Sequence, residues 1–145
     1  MIKEFDFGIT KEGKRAKRYV LENSKGTQIE VSNFGALVLA IKLYDKANIK
    51  TDVVLGFDNL EDYYNTSTGF GAYVGRNANR IKDAIVTIEG TQYPLDANDN
   101  GNNLHSGYDR SHCKLYDVKC GENITGSYVE FFRISPHMEQ GFPGN

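Results

Sequence analysis

The chain has 145 residues, 39% of them apolar, 12% aromatic and 25% charged, the make-up of a folded globular protein of one-domain length, so disorder is not its default. Its 17 Lys and Arg against 19 Asp and Glu leave a net charge of -2, which excludes a molecule-wide field drawing it to nucleic acid or to an anionic membrane. No apolar run approaches the roughly 20 residues of a membrane span, and the charged start Met1-Ile2-Lys3-Glu4 lacks the apolar stretch of a signal peptide, so a cytoplasmic protein with no membrane partner is expected.

In chain order, the basic cluster Lys11, Lys14, Arg15, Lys17, Arg18 reads as a solvated turn and strand edge. Tyr19 to Leu21 and Thr27 to Val31 are β-branched and aromatic segments around Ser24-Lys25-Gly26, a hairpin signal. A turn at Asn33-Phe34-Gly35 leads into Leu37 to Tyr44, an apolar run giving way to alternation, which predicts a strand buried on at least one face. Asp52 to Phe57 predicts another strand. Leu60 to Tyr64 predicts one short helix, capped by Asp58 or Asn59, with Glu61 and Asp62 in its first turn where the helix dipole favours negative charge. Strands are expected again at Ala84 to Glu89, Thr91 to Leu95, Leu115 to Lys119 and Ser127 to Ile134, with an Asp- and Asn-rich loop from Asp96 to Asn103 whose Asn100-Gly101 pair fits a turn of positive φ. The pattern is all-β and antiparallel, a β-sandwich in a single domain spanning residues 1–145. Cys113 and Cys120 flank a predicted strand that would hold them about 20 Å apart. A disulfide needs Cα atoms within about 7 Å, so both are expected to be reduced thiols.

The stretch Gly69 to Ile81 combines three glycines with Arg76, Arg80, Asn77 and Asn79. A dinucleotide site would need its third glycine one residue earlier and a helix after it. Asn79 and Arg80 instead offer planar, multidentate donors and acceptors suited to vicinal hydroxyls, or they satisfy backbone groups around a glycine-rich loop. His105, beside the small residues Ser106 and Gly107, suits proton handling or hydrogen bonding as well as a structural role. His112, among Arg110, Ser111 and Lys114, is expected to be solvated, and His137 belongs to a turn. No three His or Cys residues have metal-ligand spacing, so no metal is expected. Ser106 lacks the G-x-S-x-G frame of a nucleophile.

Val74-Gly75-Arg76-Asn77-Ala78-Asn79-Arg80-Ile81, then Leu104-His105-Ser106-Gly107, then Ser135-Pro136 through Gly141-Phe142-Pro143-Gly144-Asn145 resemble three successive signatures of the aldose 1-epimerase (galactose mutarotase) family. Asn33-Phe34-Gly35-Ala36 and Val53 to Phe57 ahead of Tyr63 are similar to its opening strands. The resemblance implies an antiparallel β-sandwich assembly, of which this chain is the N-terminal part, that interconverts the α and β anomers of galactose, glucose and related aldoses without a cofactor. A carboxylate removes the C1 hydroxyl proton while a histidine protonates the ring oxygen, and the opened aldehyde rotates before closing.

By the same resemblance Arg80 and His105 match the substrate-contacting arginine and the first histidine, which makes His105 the catalytic candidate, and Asn79 matches a residue that lines the sugar site. The second histidine, taken as the acid, and the aspartate and glutamate base fall beyond the Pro-Gly-Asn motif, so the chain by itself is expected to be inactive. His137 lies inside that motif and does not match the acid. Asp83-Ala84 stands where the family commonly has a glycine, Ser106 replaces another, and Leu115-Tyr116 occupies a region where a tryptophan is usual. Relatives acting on phosphorylated hexoses would need a cationic grip, for which Arg76 is the candidate. Two further expectations are a noncatalytic carbohydrate-binding β-sandwich that holds a hexose through Asn79, Arg80 and His105, and self-association through exposed strand edges.

Overall fold

The computed structural model describes residues 1–145. The chain falls into two compact units, Met1–Ala72 with Leu115–Phe132, and Tyr73–Lys114 with Arg133–Asn145. Every strand pairing is antiparallel.

In the first unit, strands β1 (Ile2–Ile9), β2 (Arg15–Glu22), β3 (Gln28–Ser32), β4 (Leu37–Tyr44) and β5 (Lys50–Asp52) form a five-stranded meander in sequence order. β1 was not expected from the sequence. It carries Lys3, Glu4 and Asp6 and buries only Phe7, so its apolar signal is thin, and a register shift between Asp6 and Gly8 bends it. The predicted strand from Asp52 to Phe57 is shorter and earlier than expected. Asp52 Oδ1 accepts the N–H of Ile41 at 3.0 Å and that of Val54 at 3.1 Å. A carboxylate thus takes the place of a ladder carbonyl at the Ile41 N–H, the last backbone bond to β4 is Val53 N–H to Ile41 O at 2.9 Å, and Val53 and Leu55 are left exposed.

Helix α1 (Leu60–Asn65) forms as its local chemistry predicts: Asn59 accepts the N–H of Asp62 at 3.0 Å, and Glu61 and Asp62 fill the first turn. Six residues are too few for a helix to persist alone. It is held by burial of Leu60 and Tyr63, with the Tyr63 ring edge-on to Phe57 at 5.1 Å and its hydroxyl accepting the Phe57 N–H at 3.1 Å. The Gly69-Phe70-Gly71 stretch serves packing. Val38 N–H bonds to Gly71 O at 2.9 Å, and a Cβ on Gly71 would lie 1.9 Å from Val38 O, so only glycine lets the backbone lie against β4.

The second unit contains two short ribbons. Strand β6 (Arg80–Ile81) is followed by a 3-10 turn at Lys82–Ala84 and by the hairpin of β7 (Ile85–Ile88) and β8 (Thr91–Pro94). The hairpin turn has positive φ at Glu89 and Gly90, the geometry that suits strand twist. β6 pairs with β9 (Asn103–Leu104) across the Asp- and Asn-rich loop. Ala84, Leu95 and Phe142 form a small core with Ile81 and Val86 against it.

The chain then returns to the first unit as the hairpin of β10 (Asp117–Asn123) and β11 (Gly126–Phe132). This hairpin is anchored by Tyr116 N–H to Asn33 O at 2.9 Å, and Phe131 meets Tyr19 of β2 edge-on at 6.3 Å, which gives the unit a second layer. Cys120 lies within β10 instead of beyond it, and both cysteines are free. No helix is long and apolar enough to cross a membrane.

Candidate functional site

The pairing of β6 with β9 brings Asn79, Arg80 and His105 together. Arg80 is directly opposite Leu104, and one step outward His105 N–H donates to Asn79 O at 3.0 Å. At this point both strands turn left-handed, with φ of 62° at Asn79, 52° at His105 and 69° at Ser106. The contact is reciprocal, since Asn79 N–H donates to His105 Nδ1 at 3.0 Å. Its physical consequence is a defined tautomer. An Nδ1 that accepts a hydrogen bond carries no proton, so neutral His105 bears its proton on Nε2 and presents a donor. Asn79, Arg80 and His105 are all exposed.

Arg80 is held along one edge. Its Nε–H donates to Asp99 Oδ2 at 2.6 Å and its Nη1 to Asn79 Oδ1 at 3.3 Å. The loop around it is a scaffold of side-chain to backbone bonds. Asn98 both donates to Leu104 O at 2.8 Å and accepts Leu104 N–H at 2.7 Å, standing in for a further strand beside β9. Asn103, fully buried, donates to Asp96 O at 2.9 Å, and its Oδ1 has no partner. Asp96 Oδ2 accepts the Tyr108 N–H at 3.0 Å, and a Cβ on Gly107 would lie 2.3 Å from that same oxygen. Gly107, at φ 116°, is therefore required. Asn98, Asp99 and Asn103 were not singled out for these roles by sequence; the signal available was the Asn100-Gly101 turn, which fixes the residues on either side of it.

The remaining polar residues of the motifs are structural in their contacts. Arg76 donates from Nε to Ser135 Oγ at 2.8 Å, from Nη1 to Pro143 O at 3.0 Å, and from Nη2 to Ser135 O at 2.9 Å and Pro136 O at 2.7 Å. It ties the Gly-Arg-Asn loop to the Ser-Pro to Pro-Gly-Asn segment, and four of its five N–H donors are engaged within the chain. Ser106, fully buried, accepts the Asn77 N–H at 2.7 Å and donates to Asn77 O at 3.1 Å. Its hydroxyl is occupied by the backbone. His137 Nδ1 accepts the Gly144 N–H at 3.0 Å and so pins the Pro-Gly-Asn turn.

His112 is half-buried, not solvated as its charged neighbours suggested. Burial, followed by the positive charge of Arg110 and by His105, pushes it below its ordinary value of 6.5. Glu139 accepts from Arg133 and from Ser135, whose Oγ also takes the Arg76 bond. Burial works to raise the Glu139 carboxyl, but the hydrogen bonds from Arg133 and Ser135 and the charges of Arg133 and Lys114 outweigh it and hold the group below its usual range. No group of three or more His, Cys, Asp or Glu residues is placed to hold a metal ion.

Chemically, the ribbon edge offers the outer edge of a guanidinium, an imidazole N–H and a side-chain amide. These suit a polyol better than a nucleophilic reaction centre. A family model described as aldose 1-epimerase matches residues 17–145. Galactose mutarotase from Bos taurus is 38% identical over 118 residues, covering 81% of this chain and 33% of the relative. An aldose 1-epimerase from Haemophilus influenzae is 32% identical over 127 residues, covering 86% of this chain and 35% of the relative. The chain spans about a third of the length of these curated relatives. Among solved structures, galactose 1-epimerase from Lactobacillus acidophilus superposes with a TM-score of 0.85 over 100% of this chain and 42% of that one, at 22% identity. An aldose epimerase homologue from C. elegans gives 0.75 at 28% identity, over 86% of this chain and 38% of that one. The all-β, antiparallel sandwich expected from the sequence is the fold these structures share with it.

Proposed function

We propose that this chain, which belongs to the aldose 1-epimerase family, supplies the sugar-holding part of an enzyme that interconverts the anomers of galactose, glucose or a related aldose. The observation that carries this is the convergence of Asn79, Arg80 and His105 on one two-stranded ribbon, with the His105 proton fixed on Nε2. Arg80 and Asn79 bind ring hydroxyls, and His105 donates a hydrogen bond to a sugar oxygen, orienting the ring for proton transfer. The two units act as parts of one domain, since a single family match runs across both. Two free thiols accord with a cytoplasmic setting.

The proton-transferring carboxylate and the acid histidine come from residues outside this chain. In support, the loop carboxylates are already committed: Asp96 to Tyr108, Asp99 to Arg80 and Glu139 to Arg133 and Ser135. Two groups of unlike pKa on opposite sides of the hemiacetal are what ring opening at neutral pH requires. Polarimetry of freshly dissolved α-galactose and α-glucose tests the division of labour. Residues 1–145 are expected to leave mutarotation at its buffer rate. Acceleration by the pure chain, abolished in His105→Ala, would move the proton transfer onto His105 and overturn it.

A further inference from the structure

Asp99 and Arg80 form the one ion pair at the proposed sugar edge, and the pair is built, not incidental. Asp99 opens a tight turn in which its N–H bonds to Asn102 O at 3.0 Å and Asn102 N–H bonds back to Asp99 O at 2.9 Å. Asn100 and Gly101 supply the two left-handed positions such a turn needs, with φ of 50° and 83°. The far side of the turn is fixed as well, because Asn102 Oδ1 accepts the Asp83 N–H at 3.1 Å and its Nδ2 reaches Asp99 O at 3.3 Å. The result is an Asp99 side chain only 22% exposed, set against an Arg80 side chain that is 56% exposed.

The contact is one-sided. Only Oδ2 engages Arg80, and it takes Nε–H, the inner donor. The flat edge carrying Nη1 and Nη2 is left for a ligand apart from the long contact to Asn79 Oδ1. Arg76, the other cation of the motif, spends four of its five N–H donors on Ser135, Pro136 and Pro143, so it has few left with which to grip a phosphate. A ligand at the Arg80 edge therefore meets hydrogen-bond donors whose charge is offset by a carboxylate on the opposite side. An uncharged diol gains those hydrogen bonds. A phosphate or carboxylate gains them too, but it also approaches Asp99, and like charges repel.

We infer that Asp99 is a positioning and specificity residue: it orients the Arg80 guanidinium through Nε and offsets its charge, so that the site takes uncharged aldoses over phosphorylated or acidic sugars. This rests on the sugar-holding function proposed above, and the test separates the two. In isotope-labelled 1–145, the Arg80 Nε–H signal is followed in the free protein, then with galactose, then with galactose 6-phosphate. Asp99→Asn keeps an acceptor and a turn-forming side chain but removes the charge, and Asp99→Ala removes both.

In the free proteins, the Arg80 Nε–H signal is expected to be protected and displaced in the wild type, partly retained in Asp99→Asn and lost to rapid exchange in Asp99→Ala. Identical signals in all three would overturn the positioning role whether or not sugar binds. With ligands, Asp99→Asn should shift the preference toward galactose 6-phosphate by about two- to five-fold, the range an exposed ion pair supports. An unchanged ratio of the two affinities would overturn the specificity role. If galactose moves no signal of the wild type while the free-protein series behaves as expected, the sugar-holding function fails, the specificity role falls with it, and the hold of Asp99 on Arg80 stands. The backbone amide spectrum of each variant reports that the turn and ribbon remain folded.

Discussion

Replacing Arg76 by alanine removes four hydrogen bonds at once. Three of them, to Ser135 Oγ, Ser135 O and Pro143 O, are partly withdrawn from water, and the fourth, to Pro136 O, is exposed. Water can replace the guanidinium at Pro136, so that bond contributes little to the difference. At about 1 kcal/mol for each partly buried bond, the loss comes to about 3 kcal/mol. A lysine at this position keeps the charge but is a single compact ammonium that cannot span four acceptors, so Arg76→Lys should recover about a third of the loss or less. Urea titration read by amide hydrogen exchange is the suitable assay, because it resolves the second unit through the Leu95 N–H bonded to Ala84 O and the Phe142 N–H bonded to Glu139 O. Protection in 135–144 should collapse first. A loss below about 1 kcal/mol, with protection of 135–144 unchanged, would refute the clamp and return Arg76 to the pool of free cations that a phosphate could recruit.

Glu139 predicts an acid dependence of the same segment. Its folded carboxyl lies below the ordinary 4.5, so its stabilising contribution is complete above the unfolded value and is lost as pH falls through the folded one. Stability measured from pH 7 downward should fall more steeply in the wild type than in Glu139→Gln, and parallel curves would contradict the assignment. Asp83 holds a left-handed φ of 56° that glycine adopts without strain, and its side chain is exposed. Asp83→Gly should therefore raise stability by about 0.5–1 kcal/mol in urea titration, and a loss would show that the side chain holds something at that turn. Gly71→Ala forces a Cβ to 1.9 Å from Val38 O, so it should cost about 3 kcal/mol or more, or prevent folding. A variant as stable as the wild type would remove the close approach of this backbone to β4.

What was legible in the sequence was whatever local chemistry dictates. The cap and acidic first turn of α1 are consecutive residues, β4 opens on a continuous apolar run, and Asn100-Gly101 demanded a turn of positive φ, all of which the structure contains. The failures came where a side chain at a distance decides. Asp52 takes the Ile41 N–H, which no pattern in Val53 to Phe57 foretells, and the strand ends early. β1 hides because it buries a single phenylalanine. His112 is shielded although its sequence neighbours are charged. At the candidate site, the sequence pointed to Asn79, Arg80 and His105 through family motifs and not through their spacing, since strand pairing brings Asn79 and His105 side by side from distant parts of the chain. The partners that set their geometry, Asn98 on Leu104 and Asp99 on Arg80, lie in a loop where each Asp and Asn looks alike until the turn is folded.

The central claim is that the β6–β9 edge holds an aldose. Titration of isotope-labelled 1–145 with galactose, observed at Arg80 Nε–H and at the His105 ring nitrogens, tests it most directly. The His105 spectrum of the free chain should show the proton on Nε2. Added sugar should then move the Nε2 and Arg80 signals together along one saturable curve, which Arg80→Ala abolishes. Galactose that leaves both signals unmoved at saturating concentration, or that moves residues away from this edge instead, would contradict it.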